Sequence, residues 1–410
     1  MSQILLKNAR VFDGTHAECP DGMQVLVENG TIREVSSGAI KTESARVIDV
    51  AGRLLMPGMI DAHIHACASD VDPTRIEQHG EAYRTAFAAS MLGHLLKCGF
   101  TTARDVGGGS YSLSRALAAG LIQGPRYFYA GRFLSMTGGH GDFRPQHEQH
   151  EACACGSMKS LGVIADGVDA VIQASREELR RGAHCIKIMA SGGVASPTDP
   201  IWMNQYRDDE IRAVVHETLE RRSYTAAHCH PASAIRRCVE LGVRSIEHGT
   251  LIDDATARYV ADSSSYVVPT MVIIFALKES GRALGFPEVS LRKVEEVFDA
   301  AISGLARMRS AGVKLGFGTD PLGKLHVQQC REFTLRSEVF SPLEILRQAT
   351  SLGAELMMLP GKIGCIAAEA HADLLVVEGD PLKDIGVLAQ DGKSLRLIMR
   401  AGELVKNELG

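Results

Sequence analysis

His63 and His65 stand two residues apart in "MIDAHIHA", a run that otherwise reads as a buried strand. Side chains two apart on a strand project from the same face, so both imidazoles can reach one cation. Alone, an H-x-H pair is a weak sign, because paired histidines also occur as satisfied core or surface groups. Three further runs carry residues of the same kind: His228 in "YTAAHCH", His248 in "SIEHGTL" and Asp320 at the end of "VKLGFGTD". Four histidines and an aspartate make the nitrogen and oxygen donor set preferred by zinc and similar divalent ions. Each such group in a buried strand is costly without a partner, and a shared metal supplies one.

Lys187 lies between Ile186 and Ile188 in "CIKIMASG". Beside two dications an ammonium is both repelled and desolvated, so its pKa falls toward that of a neutral amine. A neutral amine can take up carbon dioxide as a carbamate, an anionic oxygen ligand able to bridge two metals. Alternatively, the lysine stays charged and pairs with a carboxylate such as Asp320, beside an empty or mononuclear site. Residue chemistry leaves both readings open.

These residues need a scaffold that brings strand ends together. Eight apolar runs begin near Met59, Phe100, Arg126, Cys185, Tyr224, Ser245, Tyr266 and Val313. Between them lie segments such as "VDAVIQASREELRRG" and "DDEIRAVVHETLERR", apolar near i, i+3, i+4 and i+7 as in amphipathic helices. Eight such alternations predict an α/β fold, a (β/α)8 TIM-type barrel over residues 57–361. A doubly wound open sheet is the competing arrangement. The chemistry-bearing residues come at or near strand C-termini, the face on which barrel enzymes build their sites. Residues 1–56 and 362–410 read instead as short strands and turns, with Asn29-Gly30 as a hairpin signal. The two ends are expected to pair into one small β-sandwich domain.

The motifs "PGMIDAHIH", "CIKIMASGG", "AAHCH", "SIEHG" and "FGTD", in that order, resemble the amidohydrolase superfamily in its binuclear, carboxylated-lysine form. The resemblance spans nearly the whole chain. It implies that His63, His65 and Asp320 hold one metal and His228 and His248 a second, the metals being zinc. Carboxylated Lys187 and a hydroxide would bridge them. Loops such as "SMTGGHGDF" and "SGGVASPTDPIWMNQY" further resemble bacterial Xaa-Pro dipeptidases (prolidase-like) and related metal-dependent carboxypeptidases. The implied activity is hydrolysis of the amide bond in dipeptides or N-acyl amino acids, with carbamate, phenylurea or lactone hydrolysis as the alternative. His140 would hold the scissile carbonyl oxygen, and Asp320 would carry the hydroxide proton to the leaving nitrogen. Prolidase-like relatives tend to read H-A-Y after the fifth strand, the tyrosine meeting the substrate carboxylate. Here His230 stands in that position, and a histidine can also donate to a carboxylate.

Other residues take plainer roles. Arg104 and Asp105 are expected to form a structural ion pair, with contact to the substrate as the alternative, and Gly107–Gly109 a tight turn. His147 and His150, in "RPQHEQHEAC", read as part of a solvated loop. The ten cysteines lack framework spacing, as befits free thiols in a cytoplasmic protein. A net charge of -5 without a basic run argues against nucleic acid, and no apolar stretch is long enough for a membrane span. A small-molecule substrate and a homo-oligomeric state are expected.

Overall fold

The computed structural model describes residues 3–144, 147 and 161–409. Seven of the eight predicted runs are strands: Met59–Ile64, Phe100–Asp105, Arg126–Tyr129, Ile186–Met189, Thr225–Pro231, Ser245–Leu251 and Tyr266–Val268. All neighbouring pairs among them are parallel, and helices follow them, including Val168–Arg180 and Asp208–Glu220 in the two segments with helical periodicity.

Two runs depart from the expected regular strands. The third is broken: Arg126–Tyr129 pairs with the second strand, whereas Phe133–Ser135 pairs with the fourth and with an additional strand, Gly162–Ile164. The break falls at Gly131, φ +76°, where a Cβ would meet the Glu178 carboxylate at 2.2 Å. The eighth run contributes only a single bridge, Leu315 to Val267. Glycine explains the irregularity, because a Cβ on Gly318 would meet Val268 at 2.4 Å and His63 at 2.8 Å. Its backbone still bonds on both sides. Gly316 N–H donates to Val267 O at 2.9 Å, and Ala62 and Asp320 N–H bond Phe317 O and His63 O at 2.7 and 2.8 Å.

The chain ends meet in one connected eight-stranded sheet. Its seam joins Leu54–Pro57 to Leu374–Val377 in antiparallel register, Leu55 opposite Val376. The first strand, Gln3–Val11, pairs with Met23–Glu28 and Arg46–Asp49 through its first half and with Leu54–Pro57 through its last residues. Passing from one half-sheet to the other, it encloses a separate core of Leu6, Val25, Ile32, Leu374, Val376 and Met399. Asn29 and Gly30 turn the adjoining hairpin with φ of 52° and 83°.

Candidate metal centre and active site

The strand ends deliver the predicted ligands to one place. His63, His65 and Asp320 offer ligand atoms all within 4.8 Å of one another. His63 Nδ1 is 2.7 Å from Glu247 Oε2, so the ring donates there and turns Nε2 toward the cluster. That Nε2 is buried and has no hydrogen-bond partner among the described residues. His65 donates from Nδ1 to Gly107 O at 2.9 Å and presents Nε2 to Asp320 Oδ1 at 3.4 Å. An orphaned lone pair beside a second imidazole and a carboxylate is the donor chemistry a divalent cation satisfies.

His228 and His248 stand beside this cluster rather than within it. Their rings are 4.6 Å apart, and His248 lies 5.0 Å from the His63 ring. Thr270 Oγ1 engages His248 Nδ1 at 2.7 Å, leaving Nε2 free. Burial pushes His63 down to about 4 and takes His65, His228 and His248 well below 6.5, so all are neutral and able to ligate. Burial raises Asp320 to about 8. His248 and Asp320 hold left-handed backbone, φ 70° and 52°, which aims both side chains differently from their strand neighbours.

Lys187 is 1% exposed and lines the same cavity as His65, His228, His248 and Asp320. It makes no hydrogen bond or ion pair with any described residue, so the Asp320 pairing considered above is not formed. Burial lowers its pKa, and Glu247 and Asp320 only partly oppose that. An amine so placed leans toward its neutral form.

Beneath the cluster lies a buried pair that sequence reasoning missed. Arg104 bonds Glu247 Oε1 at 2.8 Å, and also Ser245 Oγ and Ala62 O. Asp105, the expected partner of Arg104, instead accepts from Tyr127 O–H at 2.6 Å and from the Ala66 and Gly107 amides. Arg104 is thus structural, but through Glu247. Arg104 faces the strand interior and Asp105 the turn, as alternation requires. Burial pushes the Glu247 carboxyl up, yet Arg104 and His63 outweigh it and hold it below its usual value. The available signal was a glutamate inside "SIEHG", a strand otherwise fully buried. Asp61 is a second omission; it accepts from the His63 and Thr319 amides and the Thr319 hydroxyl, tying the first strand to the eighth.

His140 stacks on His228 with centroids 4.1 Å apart. Ser196 Oγ lies 2.7 Å from His140 Nδ1, and Gln205 Oε1 accepts its backbone N–H. Asp199 binds Ser196, Gln205 and the Gly193 amide, while buried Lys293 donates to the carbonyls of Gly193, Ser196 and Asp199. His230 is buried, with Nδ1 3.2 Å from Thr250 Oγ1, and its ring stacks on His248 at 5.2 Å. Burial pushes it down to about 3, so it is neutral. His147 is exposed in a turn, and His150 lies outside the described residues. Gly107–Gly109 forms the expected close turn, where a Cβ on Gly109 would meet the Tyr127 hydroxyl at 2.5 Å.

Two apolar pockets meet at the cluster, sharing His140, His228, His248 and Asp320. One is walled by Ile273, Ile274, Leu277, Val294 and Val297 and contains His230. Ile76, Phe133, Phe143, Leu161 and Met189 wall the other, beside Lys187. Among the described residues neither lining includes an arginine.

Parallel strands with intervening helices carry a histidine–aspartate cluster at their C-terminal ends, an α/β arrangement in which catalytic sites are built on that face. The chain belongs to the amidohydrolase family, whose model matches residues 54–405. It is 30% identical over 370 residues to an ochratoxinase from Aspergillus niger, an alignment covering 86% of this chain and 76% of that protein. A prolidase solved in complex with N-methylphosphonate-L-proline is 42% identical, with a TM-score of 0.96 over 99% of this chain and 100% of that one. A Xaa-Pro dipeptidase with bound methionine in its active site is 27% identical, with a TM-score of 0.88 over 99% and 100% of the two chains. The chain is therefore a hydrolase of this family, and among the described residues no helix is long and apolar enough to cross a membrane.

Proposed function

We propose that this protein is a cytoplasmic, binuclear metal-dependent hydrolase that cleaves the amide bond of dipeptides, Xaa-Pro or similar, or of N-acyl amino acids. The observation that carries the reading is the orphaned His63 Nε2, buried with His65 and Asp320 within 4.8 Å and with Lys187 unpaired beside them. His63, His65 and Asp320 would hold one ion, His228 and His248 another, with carboxylated Lys187 shared between them and zinc the metal. When bound, such ions lower the pKa of water from 15.7 toward about 7 and polarise a carbonyl. Residues 57–361 would form the closed catalytic barrel, a reading supported by the hydrogen bonds of the eighth run to both neighbours. The chain-end strands would form the second domain.

The side chains divide the remaining work. His140 donates Nδ1–H to the Ser196 oxygen, whose own proton goes to Asp199, and would present a second N–H at Nε2 to the substrate carbonyl oxygen, where one donor to developing charge contributes about 3 kcal/mol. Asp320, its proton displaced once a cation binds beside it, would accept a proton from the attacking water and return it to the leaving nitrogen, which an amide requires. His230 faces the substrate from the pocket that Ile273 and Val297 wall. Apolar walls on both sides favour a scissile bond flanked by apolar groups. The prolidase similarity supports the same substrate class.

A library of dipeptides and N-acyl amino acids tests the reading, with turnover expected for members apolar on both sides. Lys187→Ala is expected to abolish turnover and strip both ions of this centre. Retention of full activity with both ions would overturn the assignment, and turnover of carbamates or lactones alone would move the substrate class.

A further inference from the structure

A second group of ligand-type side chains is separate from the His63–His65–Asp320 cluster and has no part in the proposed reaction. His94 and Cys98 come four residues apart at the end of the Gly80–Lys97 helix, and their side chains meet on one face. His94 Nε2 is 3.5 Å from Cys98 Sγ. The turn at Asp391–Gly392 brings a carboxylate to the same point, and the ligand atoms of His94, Cys98 and Asp391 all lie within 4.8 Å of one another. That turn is pressed onto the helix end: a Cβ on Gly392 would meet Lys97 O at 2.0 Å and Cys98 Cα at 3.3 Å. Buried Cys330 adjoins Cys98 and stands as a fourth candidate, just outside the set of ligand atoms that all lie within 4.8 Å of one another.

The donor set has a definite chemical preference. Tetrahedral zinc, with bonds of about 2.0–2.3 Å, sets neighbouring ligand atoms roughly 3.3–3.8 Å apart. The His94–Cys98 separation already falls in that range. Two thiols, an imidazole and a carboxylate favour a borderline-soft ion over magnesium or calcium. Both cysteines are buried and unoxidised, while Asp391 is exposed and gives an ion a way in. The ligands come from a barrel helix, the segment at Cys330 and a loop of the C-terminal region. A closed four-ligand site joining distant segments is the pattern of a structural metal.

We propose that His94, Cys98, Cys330 and Asp391 bind one structural zinc ion, separate from the strand-end centre. Binding forms four metal–ligand bonds and releases the two thiol protons to solvent, with no change of oxidation state. The ion would pin the Asp391 loop to the helix.

Cobalt distinguishes this site from the other, whose assigned ligands contain no sulphur. Full-length protein loaded with Co²⁺ under reducing conditions is expected to show a thiolate-to-cobalt charge-transfer band. Cys98→Ser should lose that band, and Asp391→Asn should weaken it, with turnover retained in both. Zinc analysis should show one equivalent per chain lost in Cys98→Ser. If that variant does not fold, His94→Gln serves in its place. The proposal is overturned by a reduced wild-type protein without the band, by its persistence in Cys98→Ser, or by a Cys98–Cys330 disulfide in freshly purified protein.

Discussion

The tautomer of His63 depends on Glu247. The carboxylate holds Nδ1–H, and Arg104 holds the carboxylate, so the free lone pair points where a cation would sit. Such outer partners are worth about 10–100-fold in metal affinity. Glu247→Gln is accordingly expected to weaken zinc binding by about that factor, measured by chelator competition, with the fold retained. His230→Tyr is expected to shift the dipeptide preference, and an unchanged substrate profile would remove His230 from the pocket. At this scale the sequence was informative where alternation holds. His63 and His65 declare a shared face by spacing alone. Glu247 was hidden because it adjoins His248, and alternation assigns neighbours to opposite faces. The left-handed φ of His248 breaks the rule and lets both residues serve the same centre. No single sequence announces a positive φ at a histidine.

Among the elements, the loop after the fourth strand does the positioning. Gly193 passes so close to His140 that a Cβ would meet its ring at 2.3 Å. Asp199 and Lys293 then bind the loop to itself and to the Glu288–Ala311 helix. Burial pushes the Asp199 carboxyl up, but hydrogen bonds and charge from His140, Lys293 and Ser196 outweigh it and hold it below 3.8. A depressed native pKa gives stability that is present above the unfolded value and lost as pH falls through the native one. Asp199→Asn should therefore be less stable than wild type near neutrality. The difference should shrink as pH drops below about 3.8, read from denaturant unfolding across pH. The helices beside the fourth and fifth runs were legible from apolar spacing. The split third strand and the single-bridge eighth were not, because glycines at 131, 316 and 318 admit close approaches that a hydrophobic pattern does not encode.

For the whole molecule, the strand rhythm revealed an α/β fold, and the style of the chain ends revealed that they belong together. The register that joins them was not legible, since Leu54–Pro57 and Leu374–Val377 are both short apolar runs with several possible partners. On the proposed centre, ligands drawn from the first, fourth, fifth, sixth and eighth runs would make cation binding a contact between elements distant in sequence. A ligand that binds only the folded state at about 1,000 times its Kd adds about 4 kcal/mol of stability. Chelator-stripped protein should thus melt at a lower temperature than the zinc-loaded form by calorimetry, and equal melting temperatures would show that the centre binds no ion.

The meeting of two apolar pockets at one cluster has a kinetic corollary on the proposed chemistry. Cleavage there leaves the acyl fragment on one side and the amine fragment on the other, each held by its own wall. Neither fragment needs the other to depart, so release is random in order and each product is an inhibitor in its own right. Apolar acids and apolar amines should then slow turnover separately, and the two together should bind without excluding one another.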